Sequence, residues 1–103
     1  MNRVALRAKD LAVLCATLGQ FATVREARVF GSRATGGARR ASDLDLAVSA
    51  PDATAAEWDE LCDALENAPL IYELDIVRLD SATNRTLQEK IKKGSVAIYS
   101  NPA

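Results

Sequence analysis

The chain has 103 residues, of which 49% are hydrophobic and 26% are charged. This length predicts a single domain spanning residues 1–103, and the composition is typical of a globular protein rather than of a disordered chain. Because the sequence contains no histidine, histidine general bases, Ser-His-Asp triads and His-ligated zinc are excluded. Carboxylates, hydroxyls, lysine, arginine and hard metal ions remain as the available chemistry.

The net charge of −1 conceals three segments of opposite sign. Residues 1–40 carry eight Lys/Arg and two Asp/Glu, residues 41–75 carry ten acids and no base, and residues 76–103 carry five bases and two acids. The basic first segment alone does not support nucleic-acid binding, since the aromatic residues that stack on bases make up only 5% of the chain. We therefore expect no direct nucleic-acid partner.

The N-terminal apolar residues are interrupted by Arg7, Lys9 and Asp10, so no secretory signal is predicted. No apolar run approaches the roughly 20 residues that cross a bilayer. Cys15 and Cys62 lie in helical patterns, and we expect both to be free thiols. These features predict a cytoplasmic protein that does not bind membranes.

The first half of the chain has one helical and two strand-like patterns. Apolar residues recur at helical spacing over residues 6–21, and Glu26–Phe30 has the pattern of a strand that Gly31 ends. Residues 32–37 predict a loop. Residues 42–49 alternate between polar and apolar, which predicts a second strand.

The second half predicts two helices, one strand and an extended end. Asp52 or Thr54 is expected to cap a helix that runs to about residue 68, and residues 70–79 have a strong strand pattern. Asp80 or Ser81 is expected to open a last helix, which Gly94 ends before an extended segment at residues 96–99. The order predicts an α/β (α+β) fold with a small mixed β-sheet and helices packed on one face.

Three aspartates are placed unusually in these strands. Asp43 and Asp45 alternate with Leu44, so both are expected on one face of their strand, where two carboxylates repel each other and favour a divalent cation. Asp75 lies in an apolar run, where an unpaired charge is unfavourable. If the two strands are neighbours, three carboxylates converge, as in two-metal sites for phosphoryl or nucleotidyl transfer. Glu73 is better explained by an ion pair across the strands.

A second pattern suits phosphate binding. Gly31 and Ser32 follow a strand, where glycine allows a close approach of the backbone and the serine hydroxyl and backbone N–H groups bind anions. Arg33 adds positive charge. Each motif is weak alone, but their order and spacing together favour a nucleotide site.

With these residues the chain resembles the nucleotidyltransferase superfamily, and within it the minimal nucleotidyltransferase (MNT) domain of the MntA-type antitoxins of HEPN/MNT toxin–antitoxin modules. The resemblance rests on Gly31-Ser32, on the SDLDL motif at residues 42–46 and on Asp75. It implies a nucleotidyltransferase-like fold in which Asp43, Asp45 and Asp75 are catalytic and bind Mg²⁺, with two metals. Gly31, Ser32 and Arg33 would bind the nucleotide.

The resemblance also implies a reaction and a partner. ATP would be the substrate, and AMP would be transferred to a tyrosine of a helical HEPN toxin, so that the chain acts as antitoxin. A chain of this length also favours a partner, in a homo- or hetero-oligomer. Two alternatives remain open: a non-catalytic antitoxin that occludes its partner, and a nucleotidyltransferase for small molecules.

Overall fold

The fold is known from a computed structural model that describes residues 6–31, 43–81 and 85–101. Within these ranges the chain forms four strands, three α-helices and one 3₁₀ turn. In chain order they are α1 (Ala8–Leu18), β1 (Glu26–Phe30), β2 (Asp43–Ser49), α2 (Ala55–Glu66), β3 (Glu73–Arg78), the 3₁₀ turn (Leu79–Ser81), α3 (Arg85–Gly94) and β4 (Val96–Ser100). None of the helices in the described ranges is long and apolar enough to cross a membrane.

The predicted order of helices and strands is confirmed, with ends that differ by a few residues, and the predicted loop at residues 32–37 lies outside the described ranges. Thr54 is the cap of α2: its Oγ1 accepts a hydrogen bond from Glu57 N at 3.1 Å, and its backbone N donates to Glu57 Oε1 at 2.9 Å. The last helix begins later than Asp80 or Ser81, because residues 79–81 form the 3₁₀ turn. Residues 82–84 lie outside the described ranges.

The sheet is mixed, with the strand order β3-β2-β1-β4. Strand β1 is antiparallel to both β2 and β4, whereas β2 and β3 run parallel and are joined through α2. A parallel pair needs such a crossover, and here the crossover helix also covers one face of the sheet. The predicted fold class, a small mixed sheet with packed helices, is confirmed.

Helices α1 and α2 cover one face of the sheet. Leu14 and Leu18 of α1 and Leu61 and Leu65 of α2 are buried in the same apolar cluster as strand residues of alternating position. The strand members of this cluster are Ala27, Val29, Leu44, Leu46 and Val48. Because strand side chains alternate between faces, the residues between them belong to the opposite face.

Helix α3 packs on that opposite face, whereas the sequence predicted helices on one face only. Its Ile91 is buried against Phe30 and Ala47, with Val77 and Leu87 packed around them. The reason is that α3 has one apolar side, which is buried against these strand residues next to the aspartates.

Two polar contacts hold the elements in place. Asp10, which is fully buried, accepts hydrogen bonds from Arg7 Nε at 2.6 Å and Nη2 at 3.0 Å. The Arg7 guanidinium lowers the pKa of the Asp10 carboxyl, against the effect of burial, and a hydrogen bond with Tyr72 lowers it further. At the end of β3, Arg78 Nη2 donates to the carbonyls of Ala50 and Ala53, both at 2.8 Å.

The predicted free thiols are confirmed. Cys15 and Cys62 are unpaired with each other and half-buried, and burial raises the pKa of both thiols. Cys15 Sγ lies 3.2 Å from the carbonyl oxygen of Ile98, to which it donates, so this thiol contributes to packing between α1 and β4.

Candidate functional site

Strand β2 directs apolar and acidic residues to opposite faces. Leu44 and Leu46 are fully buried under α1 and α2, and Asp45, which lies between them, is half-buried on the other face. Asp43 is the first residue of β2, and its side chain lies outside the described part of the structure. The alternation places Asp45 on the face that α3 partly covers.

The parallel pairing of β2 with β3 aligns the acids of the two strands. Asp45 is in register with Asp75, and Asp43 is in register with Glu73. Asp75 and Glu73 are exposed, and neither takes part in an ion pair among the described residues. The described residues therefore contain no cross-strand ion pair of Glu73, and its register neighbour on β2 is another acid.

Gly31 lies directly against Asp45. Phe30, the last residue of β1, is the register partner of Asp45, so Gly31, which follows Phe30, lies next to this carboxylate. Gly31 has a φ of 75°, a left-handed conformation that favours glycine. A Cβ at this position would overlap Asp45 Oδ2 and lie 3.4 Å from Asp45 Cγ. The position thus favours glycine for its backbone, and any Cβ there would displace the Asp45 carboxylate.

The predicted site residues fall into two groups in the structure. Gly31, Asp45 and Asp75 are brought together at the ends of three strand segments on one face, with Asp43 at the start of the middle strand. Ser32 and Arg33 lie outside the described residues.

The donor atoms of this face suit a hard cation. Among the described side chains, no group of three or more His, Cys, Asp or Glu residues is arranged to hold a metal ion. Of the three predicted ligands, Asp45 and Asp75 have described side chains; they lie on adjacent strands and supply only oxygen donors, which are the ligands that Mg²⁺ prefers. In donor chemistry, the residues present therefore fit Mg²⁺.

A cleft with a mostly apolar surface adjoins the glycine. It has a volume of about 270 Å³ and is lined by Gly31, Lys90, Lys93 and Gly94. Their spacing of three residues places both lysines on one side of α3. A second cleft, of about 340 Å³, is lined by Glu66, Tyr72, Glu73 and Leu74, and its acidic residues do not suit an anion.

Comparisons with known proteins agree with this fold. A family model described as polymerase beta, nucleotidyltransferase, matches residues 10–103. No curated protein sequence matches the chain.

Solved structures give the same fold. A chain from a toxin–antitoxin crystal structure with AMP-PNP is 25% identical with a TM-score of 0.68, and the alignment covers 93% of this chain and 75% of that chain. The structure of a tri-AMPylated Shewanella oneidensis HEPN toxin in complex with an MNT antitoxin contains a chain that is 20% identical, with a TM-score of 0.69 and coverage of 93% and 74%. A MntA-HepT toxin–antitoxin structure gives 21% identity, a TM-score of 0.67 and coverage of 92% and 74%.

Proposed function

The chain belongs to the polymerase beta nucleotidyltransferase family, and from this premise we propose that it is a magnesium-dependent adenylyltransferase with a protein substrate. In this proposal residues 1–103 act as one domain in the cytoplasm, where ATP is available. The chain transfers AMP from ATP to a tyrosine hydroxyl of a HEPN-type toxin, and this modification makes it the antitoxin.

The observation that carries the proposal is the placement of Gly31, Asp45 and Asp75. Carboxylates on adjacent strands are in register, and a glycine with a left-handed backbone is packed against one of them. Like charges opposite each other destabilise a sheet, so this arrangement favours a site that binds a ligand of opposite charge. A bound cation offsets that repulsion, and the glycine leaves the backbone open to an anion.

The proposed roles follow from these positions. Asp43 and Asp45 would hold Mg²⁺ on the triphosphate, and Asp75 would hold a second Mg²⁺ and accept the proton of the attacking hydroxyl. Gly31, Ser32 and Arg33 would bind phosphate oxygens. When bound, Mg²⁺ neutralises the charge that develops on the phosphates during transfer.

The choice of partner is supported by the solved structures of similar fold. They include a toxin–antitoxin structure with AMP-PNP and a HEPN toxin that carries three AMP groups beside an MNT antitoxin. A protein acceptor also suits this chain, because Asp75, the residue proposed to activate the acceptor, is exposed.

The test is an intact-mass measurement. The protein is incubated with MgATP and a HEPN-type partner protein, and the partner's mass is recorded. We expect an increase by one or more AMP groups. Asp45→Asn and Asp75→Asn should each slow the modification at least about 100-fold, because each removes a charge that acts in the transition state. Asp59→Asn, the same change on the exposed face of α2, serves as the matched control and should modify the partner at the normal rate.

The outcomes separate the three candidate functions. A stable complex whose partner keeps its mass would replace the proposal by a non-catalytic antitoxin. Modification of a small hydroxyl compound but not of the protein would indicate a small-molecule enzyme. Peptide mapping of the modified partner identifies the acceptor, and a residue other than tyrosine would overturn that part of the proposal.

A further inference from the structure

We propose that the outer edge of β3 binds an extended segment of the acceptor protein as an additional strand. A lysine or arginine of that segment lies beside Glu73, and the acceptor tyrosine, two positions away, lies beside Asp75. The inference rests on the proposed transfer of AMP to a protein tyrosine. It adds the surface on which the acceptor docks and the local sequence that this surface selects.

The edge of β3 is the first observation. Strand β3 is an outer strand, and in the described ranges it pairs only with β2. The outward side of such a strand carries backbone N–H and C=O groups, which bind an extended peptide as a further strand of the sheet. The other outer strand, β4, is separated from β3 by two strands and so lies away from Asp75. An acceptor that must reach Asp75 therefore meets the edge of β3.

The charges along this edge select a basic segment. Glu73 and Asp75 are exposed, as is Glu66 at the end of α2, and none of the three takes part in an ion pair among the described residues. Residues 41–75 contain ten acids and no Lys or Arg. A segment with Lys or Arg is complementary to this edge, whereas an acidic segment would be repelled.

A cleft at the start of β3 provides room for a long basic side chain. It has a volume of about 340 Å³ and a mostly polar surface, and it is lined by Glu66, Tyr72, Glu73 and Leu74. Tyr72 is a buried member of the apolar cluster and Leu74 packs against that cluster, so the core holds these walls in place. Lysine and arginine combine an apolar stem with a charged head. A cleft with a leucine and two carboxylates suits both parts.

An exposed apolar residue lies at the same end of the edge. Ile71, two residues before β3, is 52% exposed, and no other large hydrophobic residue in the described part of the chain is classed as exposed. A single exposed hydrophobic residue is not a binding site by itself. Next to a strand edge that accepts a peptide, however, it offers an apolar contact to the docked segment.

The pleat of β3 fixes the spacing of the two selected residues. Glu73 and Asp75 lie on one face of the strand, roughly 6.6 Å apart along it, because alternate residues share a face. A docked strand has the same alternation, so its residues opposite Glu73 and Asp75 are two positions apart and also share that face. The selected sequence is basic-x-Tyr in one strand direction and Tyr-x-basic in the other.

The spacing between strands favours tyrosine as the acceptor. Neighbouring strands lie about 4.8 Å apart, so a residue docked opposite Asp75 is two such spacings from Asp45, its register partner on β2. The nucleotide is proposed to bind at Asp45. A tyrosine side chain is long enough to lie across Asp75 towards it, whereas a serine hydroxyl stays close to its own strand.

The experiment measures AMP transfer from MgATP by the full chain to two short peptides that differ only in charge. One contains Lys-x-Tyr-x-Lys and the other Glu-x-Tyr-x-Glu, so that either strand direction is covered. We expect a roughly tenfold higher kcat/KM for the lysine peptide, through a lower KM, because one peptide attracts Glu73 and the other repels it. Glu73→Lys should reverse this preference. Glu60→Lys, the same change on an exposed residue of α2, is the matched control and should preserve it.

Methylation of the peptide backbone tests strand pairing itself. Alternate N–H groups of a strand point to opposite sides, so two isomers of the lysine peptide are prepared with methyl groups on odd or on even amides. Only one set of amides faces β3. We expect one isomer to react at least about tenfold more slowly and the other to react normally, because only the first loses hydrogen bonds to the edge. Circular dichroism checks that Glu73→Lys retains the fold.

Several results would overturn the inference. Equal rates with the two charged peptides, an unchanged preference in Glu73→Lys, an equal effect of Glu60→Lys, or an equal response of the methylated isomers would each do so. A wild-type dimer that Glu73→Lys dissociates, measured by size-exclusion chromatography, would assign the edge to a second copy instead. If the wild type modifies a HEPN-type partner but neither peptide, this inference alone fails. If it modifies neither the partner nor the peptides, the proposed function fails as well.

Discussion

The most direct test of the geometry is the replacement of Gly31 by alanine. Gly31 has a φ of 75°, and a left-handed conformation costs a non-glycine residue about 1–2 kcal/mol. The added Cβ would also overlap Asp45 Oδ2 and lie 3.4 Å from Cγ. Because the carboxylate is the end of a flexible side chain, it can turn away at a further cost of about 0.5–1.5 kcal/mol. We expect Gly31→Ala to lower the free energy of unfolding by about 1.5–3.5 kcal/mol.

The two contributions are separated by a double-mutant cycle. In an Asp45→Ala background the overlapping oxygen and Cγ are absent, and the nearest remaining atom, Asp45 Cβ, lies at an ordinary 3.7 Å. Gly31→Ala should then cost only the backbone strain, which gives a coupling energy of about 0.5–1.5 kcal/mol. Urea unfolding followed by the fluorescence of Trp58, the single tryptophan, measures all four proteins.

A third variant separates backbone from side chain within the same site. Asparagine tolerates the left-handed conformation but still carries a Cβ. Gly31→Asn should therefore recover much of the lost stability while nucleotidyl transfer remains at least about 100-fold reduced, since Asp45 is still displaced. Additive effects in the cycle, or normal transfer by Gly31→Ala, would refute the contact between Gly31 and the carboxylate.

Three further predictions concern stability, and urea or thermal unfolding measures each. Asp10→Asn should flatten the acid side of the profile of stability against pH, because the pKa of Asp10 is lowered in the fold. The contribution of this carboxylate to the free energy of unfolding is present above an unfolded pKa of about 4 and is lost as the pH falls through the folded pKa. Parallel profiles of the variant and the wild type would contradict this. Arg78→Lys should cost about 1–3 kcal/mol because two carbonyls lose their donor, whereas Arg25→Lys, in an exposed ion pair, should stay within about 0.5 kcal/mol. Thr54→Ala should cost about 1 kcal/mol by removing the cap of α2, and an unchanged midpoint would exclude that role.

Local patterns predict the elements well, because side-chain direction in a strand and spacing in a helix depend on near neighbours. Glu26–Phe30 is a strand with the predicted ends. The alternation of side chains along β2 correctly predicts that Asp45 lies on the face opposite the buried Leu44 and Leu46. The register of Asp45 with Asp75 is not contained in either strand. It depends on how α2 packs as it connects them, which is a property of the whole fold.

The least predictable features are those that join distant parts of the chain. The segment at residues 96–99 has a strand pattern, but nothing in it indicates that β4 pairs with β1, far earlier in the chain. The position of α3 beside Gly31 follows from the contact of Ile91 with Phe30, and neither residue alone indicates it. Asp10 reads as an interruption of an apolar stretch, yet the structure buries it with Arg7.

The outer position of β3 has a consequence for how copies of the chain meet. In the described part of the sheet, β3 pairs only with β2, so its other side presents backbone groups that could extend a sheet into a second copy. Charged residues along such a strand oppose this association, and Glu73 and Asp75 lie there exposed. Neutral substitutions of Asp75 therefore remove a charge that opposes aggregation as well as a candidate metal ligand. Light scattering should accompany every activity assay of such a variant.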